Sequence, residues 1–75
     1  MLFTRYLQSR HDEEGPVGDL ARMALTDPWW PPASTSGKDR IQAYLRRRGV
    51  GPEVMEALAR AWNEYMLGRR EARRG

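Results

Sequence analysis

Cysteine is absent from this 75-residue sequence. That removes disulfides and thiolate metal sites together, so apolar packing has to hold the fold. No apolar run approaches the length of a membrane-spanning helix. The first ten residues, MLFTRYLQSR, lack the long apolar stretch and small-residue cleavage site of a signal peptide. The expectation is a soluble, cytoplasmic protein with no membrane partner. No stretch alternates with period 2 and no hairpin turn occurs, so no sheet is expected. There is no P-loop, no glycine-rich dinucleotide turn and no His-x-x-x-His pair. Histidine occurs once, and so does lysine, against twelve arginines.

What is present has to stabilise a small domain. A chain of this length buries roughly 60% of its unfolded surface. At about 0.05–0.15 kcal/mol per residue, its stability is roughly 4–11 kcal/mol. One buried tryptophan hides about 150–250 Å², worth at most about 4–6 kcal/mol. Each tryptophan therefore matters. Two of the three, with three of the five prolines, lie in the six residues 27–32, DPWWPP.

Charge is unevenly placed. Residues 1–37 carry an acidic excess and residues 38–75 a basic one, within a net charge of +3. The tail RREARRG, with Arg69, Arg70, Arg73 and Arg74 against Glu71, accounts for that net charge by itself. The high pI thus belongs to the tail rather than to the domain. We divide the chain into a helical domain, 1–68, and a basic tail, 69–75.

Helical periodicity predicts four helices. In 2–10, Leu2, Phe3, Tyr6 and Leu7 make one stripe. After the polar break HDEEG, Pro16 suits a first helical turn. Val17, Leu20, Ala21, Ala24 and Leu25 then share a face. Pro28 stops this helix by pushing Asp27 out of the α region. Ser36 and Asp39 have capping-box spacing for a third helix, which turns Ile41, Tyr44 and Leu45 inward and runs to about Arg48. Gly49 is expected as a left-handed residue closing a Schellman turn, with Val50 against Leu45. Gly51-Pro52 opens the fourth helix, with Met55, Leu58, Trp62, Tyr65 and Met66 in its stripe. Glu56 and Arg60 are spaced for an ion pair, and Gly68 is expected to end the packed part. The expected core is Phe3, Tyr6, Leu7, Leu20, Leu25, Trp30, Ile41, Tyr44, Leu45, Leu58, Trp62 and Tyr65.

Five fragments carry a resemblance: Phe3-x-x-Tyr6-Leu7, Pro16-x-x-x-Leu20-Ala21, Asp27-x-x-Trp30-Pro31, Ile41-x-x-Tyr44-Leu45 and Ala61-Trp62-x-x-Tyr65. In this order and spacing the chain resembles the YozE-like family of small bacterial proteins, whose fold is like that of a sterile alpha motif (SAM) domain. The resemblance implies an all-α, single compact SAM-like bundle of four main helices, with room for a short fifth turn in the 29–37 loop. Trp30 aligns with the core aromatic of that family. Trp29 stands where the family tolerates a polar residue, and the following PASTSG is smaller and less charged than the pattern. SAM-like folds serve both protein association and nucleic-acid binding, so fold does not choose between them.

Nothing in the sequence assembles a catalytic group. His11 sits before Asp12, Glu13 and Glu14, and reads as a solvated turn rather than a metal site. Ser34, Thr35 and Ser36 have no base nearby. A chain this small has little volume for a pocket of about 300 Å³. We expect a non-enzyme, with no cofactor, no metal and no small-molecule substrate.

Two binding modes remain. Protein association, with an unidentified partner or a second copy, would use Trp29 on a loop stiffened by Pro28, Pro31 and Pro32. A head-to-tail version would set the acidic HDEEG against the basic RRRG of another copy. The alternative is nucleic-acid (DNA) binding, with backbone contacts from Lys38, Arg40, Arg46, Arg47, Arg48, Arg69, Arg70, Arg73 and Arg74. The third and fourth helices have the outline of a helix-turn-helix. Pro52, Glu53, Val54 and Glu56 at the start of the fourth helix, however, are unsuited to reading bases. Protein association is the preferred reading.

Overall fold

A computed structural model describes residues 2–33 and 37–74, with side chains up to Arg69. Among these residues there are four helices and no strand: α1 (Phe3–Gln8), α2 (Pro16–Thr26), α3 (Lys38–Arg47) and α4 (Pro52–Arg74). The α4 helix packs against each of the other three, and α1 packs on α2. At 23 residues it is roughly 34 Å long, and the last buried side chain among those described is Tyr65. The residues beyond Gly68 continue the same helix to Arg74.

The helix boundaries follow their local signals. Gly15, at φ +88°, precedes Pro16 at the first helical position of α2. Pro28 leaves Asp27 extended, at φ −85° and ψ 112°, as the C-cap of that helix. At the end of α3, Gly49 is left-handed, at φ +71°. Its N–H donates to Arg46 O at 3.1 Å, and the Val50 N–H donates to Leu45 O at 3.3 Å. Those two bonds are the Schellman pattern expected from the sequence. The N-cap of α3 is Gly37, with no side-chain cap bond, rather than the expected Ser36. Ser36 itself lies outside the described residues, with Ser34 and Thr35. The loop between α2 and α3 turns at residues 28–30, and no fifth helix is present in its described part.

The core is one cluster: Phe3, Leu7, Val17, Leu20, Ala21, Ala24, Trp30, Ile41, Leu45, Ala57, Leu58, Ala61 and Tyr65. Tyr6, Tyr44 and Trp62 are half-buried and pack against its edge. Phe3 is the aromatic centre, edge-on to Trp62 at 5.0 Å and to Tyr65 at 5.4 Å.

Three further expectations change. Leu25 is 50% exposed rather than core. It lies roughly a quarter-turn from the middle of the Val17–Leu20–Ala21–Ala24 stripe, in the last turn of α2. The buried face of α4 is rotated towards Ala57 and Ala61, leaving Met66 exposed. Alanine is too small to mark a stripe in the sequence, yet buried alanines let helices approach closely. Glu56 and Arg60, both exposed, form no ion pair, as is common where water competes and side-chain entropy opposes the pair.

Gly18 is required by packing rather than by backbone conformation. A Cβ there would collide with the backbone carbonyl of Glu13. The HDEEG turn therefore presses directly onto the first turn of α2. Arg22 holds it, donating to His11 O at 2.7 Å and Glu13 O at 3.2 Å, while pairing with Asp19.

Candidate interaction site

The DPWWPP turn is built on Asp27, which is bonded from both ends. Its N–H donates to Met23 O at 2.9 Å, closing α2. Its Oδ1 accepts the Trp29 N–H at 2.9 Å, and its backbone carbonyl accepts the Trp30 N–H at 3.2 Å. Such an Asx-type turn lets one carboxylate set the direction of the next two residues. Its Oδ2 accepts the Tyr44 hydroxyl, and Arg48 Nη1 stands 3.6 Å from the same oxygen. Arg48 also donates to Tyr44 Oη at 3.2 Å and lies over the Tyr44 ring at 5.8 Å.

The Asp27 side chain is only 6% exposed. The Tyr44 hydrogen bond, then the Trp29 N–H and the Arg48 charge, hold its carboxyl below the usual range despite burial. Burial, and the carboxylate it donates to, push the Tyr44 phenol up. One acid thus ties the end of α2 to the core-bordering edge of α3 and orients the tryptophan pair.

The two tryptophans point opposite ways. Trp30 is buried, its Nε1–H donating to Thr4 Oγ1 at 3.3 Å and its ring edge-on to Tyr44 at 6.0 Å. Trp29 is 76% exposed, the most exposed of the large apolar side chains described. Pro28 and Pro32 are exposed beside it, and Pro31 is half-buried. The three proposed contact residues, Trp29, Pro28 and Pro32, therefore share one solvent-facing turn. Leu25, exposed at the end of α2, precedes it.

The basic candidates divide. Arg40, Arg46 and Arg47 are exposed and Lys38 is half-buried, and none has an ion-pair or hydrogen-bond partner for its side chain among the described residues. Arg48 is not available in the same way, because Asp27 and Tyr44 engage it. Arg69 lies over the Tyr65 ring at 5.7 Å. Arg70, Arg73 and Arg74 belong to α4, but their side chains fall outside those described. The helix-turn-helix outline places exposed Glu53 and Glu56 at the start of α4, where phosphates would be repelled.

The acidic turn is partly neutralised within the chain. Arg10 pairs with Glu13 and, at 2.8 Å, with Glu64 of α4. Arg10 also donates to Tyr6 Oη at 2.6 Å, and Tyr6 donates to Glu64 at 3.2 Å. His11 Nδ1 lies 3.1 Å from Asp12 Oδ1. Among the described residues no three of His, Asp and Glu gather where they could hold a metal ion, and no helix is long and apolar enough to cross a membrane.

Two open concavities lie on the surface, neither of them enclosed. An open groove of about 590 Å³ is lined by Gly37, Lys38, Asp39, Arg40 and Trp62. A second, of about 310 Å³, is lined by Arg40, Ala43, Tyr44 and Arg47. These are clefts on the helix surface, so the volume of a small core did not limit them. Trp62, expected in the core, is half-buried and lines the larger concavity as well. The Asp27–Tyr44 link spans 17 residues and has no local signal in the sequence.

The family model described as the YozE SAM-like fold matches residues 3–67. Searches against curated proteins and against solved structures found no match. The match spans nearly all of the chain, which belongs to that family.

Proposed function

We propose that this YozE SAM-like chain is a small, non-catalytic module for protein association, with Trp29 as its main contact. The observation that carries the reading is the exposure of Trp29, at 76%, beside a buried twin. A protein whose stability rests on few large side chains leaves one of its three tryptophans in water. Covering that ring would remove much of the roughly 150–250 Å² a tryptophan can bury. Tryptophans of this kind are enriched among the residues that dominate interface energies.

The turn also lowers the cost of binding. Prolines on either side and the Asp27 bonds restrict the backbone before a partner arrives, so less entropy is lost on contact. The surrounding surface is apolar, with Pro28, Pro32 and Leu25 exposed. A second copy is one candidate partner. Asp12, Glu14, Arg46 and Arg47 remain exposed for a head-to-tail contact, whereas Glu13 and Arg48 are engaged within the chain.

The test compares the wild-type chain with Trp29→Ala in pull-downs from native extract, with and without nuclease. The reading expects a protein that is retained after nuclease and lost with Trp29→Ala, while the circular dichroism spectrum is unchanged. Equal capture by both chains would rule out Trp29 as the contact. Light scattering over a concentration series identifies a second copy as the partner if mass rises for the wild type and not for Trp29→Ala.

A further inference from the structure

We infer that the surface running along α3 from Arg47 to Lys38, and on to Trp62 of α4, binds single-stranded nucleic acid, with Lys38, Arg40 and Arg47 on the phosphates and Trp62 against a base. Arg40 lines both open concavities, one formed by α3 alone and the other by the start of α3 with Trp62 of α4, so the two meet at that side chain. Their combined lining holds three cations and one carboxylate, Asp39, with two aromatic rings, Tyr44 and Trp62. Arg40, Ala43 and Arg47 fall at i, i+3 and i+7, on one face of α3. The two guanidinium-bearing positions are about 10 Å apart along the axis, roughly three nucleotides of stacked strand. Ala43 between them leaves the face open.

The state of these cations distinguishes them from the other described arginines that hold the fold. Arg10 is tied to Glu64, Arg22 to Asp19 and Arg48 to Asp27. Lys38, Arg40 and Arg47 have no such partner among the described residues, although Asp39 lies beside two of them in the groove. Charge complementarity therefore calls for an anion. Trp62 narrows the class. It is half-buried, held by its contacts with Phe3 at 5.0 Å and Tyr65 at 5.6 Å, and forms part of the groove lining. A cationic groove that includes an aromatic ring is the arrangement that holds an unpaired strand through backbone charge and base stacking. An acidic peptide would use the cations and leave the ring unaddressed. A duplex keeps its bases stacked away from Trp62.

The test is fluorescence anisotropy of the full chain with a labelled oligothymidylate of about twelve nucleotides, within the site sizes of single-strand grooves. With three phosphate contacts, affinity is expected to fall roughly twenty-fold from about 50 to 200 mM salt. Arg40→Glu with Arg47→Glu, both exposed positions, should weaken binding and lower the salt slope by about 0.7 per residue. An abasic strand of equal length should bind at least about five-fold more weakly, since it carries charge without bases. Trp62→Leu should reproduce that loss on the normal strand. Should that variant unfold, the abasic strand carries the stacking test by itself.

Replacing Arg69, Arg70, Arg73 and Arg74 by Gln should leave the preference for bases intact. Equal affinity for the abasic strand or for duplex overturns the proposal. So does binding that survives reversal of Arg40 and Arg47, or that disappears when the four terminal arginines alone are replaced. Trp29→Ala should bind the strand like wild type, so this inference and the association reading fail independently.

Discussion

The Tyr44 hydroxyl donates to the carboxylate of Asp27, across 17 residues of sequence, and joins the end of α2 to the edge of α3 that borders the core. The same carboxylate accepts the Trp29 N–H through its other oxygen. Its two oxygens thus serve different levels of structure, one local and one tertiary. Trp29 can face water on a fixed turn because Asp27 is held at both.

Removing the Tyr44 hydroxyl should loosen that turn. Tyr44→Phe keeps the ring against Trp30 but leaves Asp27 Oδ2 with Arg48 alone, at 3.6 Å. A lower melting temperature is expected, together with faster amide exchange at Trp29 and Trp30. Exchange rates matching wild type would show that the link does not hold the turn.

The same link gives a pH dependence. The folded-state pKa of Asp27 lies below its ordinary value of 3.8. Its contribution is therefore fully present above about pH 4–5 and is lost as pH falls through the folded value. On the alkaline side, Tyr44 and Tyr6 are both raised above 10.0, mainly by burial. Their contribution is present below about pH 10 and is lost as pH rises through their folded values. Thermal melts of Asp27→Asn against wild type should diverge at neutral pH and converge towards pH 2–3. A constant difference would contradict the assignment.

Adjacent tryptophans should behave in opposite ways. Trp29→Ala should change stability by no more than about 0.5 kcal/mol, as for an exposed side chain free of special contacts. Trp30→Ala should cost about 3–5 kcal/mol, a large part of the roughly 4–11 kcal/mol available. Thr4→Val, which strands the indole N–H of Trp30, should cost about 1–3 kcal/mol. Urea melts of the three variants check all three values.

Gly18→Ala should destabilise although the residue lies inside a helix, where alanine is ordinarily preferred. The new Cβ would meet the Glu13 carbonyl, and overpacking of this kind costs about 1–3 kcal/mol. Gly68→Ala is the control: nothing lies near its Cβ position, so it should stabilise by up to about 1 kcal/mol. If the two substitutions shift the urea midpoint equally, the close approach of the HDEEG turn is not a constraint.

Gly49→Ala should cost about 1 kcal/mol or more, because φ is +71° there and an L side chain is strained in that region. Gly51→Ala, with open space at its Cβ and no positive φ, should cost less. The difference between their urea midpoints measures the left-handed requirement.

The sequence by itself determined the local pieces. Proline at the start of α2 and of α4, Pro28 after α2 and Gly49 after α3 act within a few residues, so their effects could be read without a fold. Large apolar residues at helical spacing likewise marked Phe3, Leu7, Leu20, Ile41, Leu45, Leu58 and Tyr65 as core. The five fragments of the family pattern, including Trp30 as the buried aromatic, were legible for the same reason. Tertiary structure decided what depends on how the helices face one another. It turned Leu25 outward and Ala57 inward, because burial depends on which flank of a helix meets a neighbour. It made Gly18 a contact with Glu13, paired Asp27 with Tyr44, left Trp29 in water and placed Trp62 in a groove with Arg40. Each of these joins surfaces whose relative placement is set by packing between elements, and no residue carries that information in its immediate neighbours.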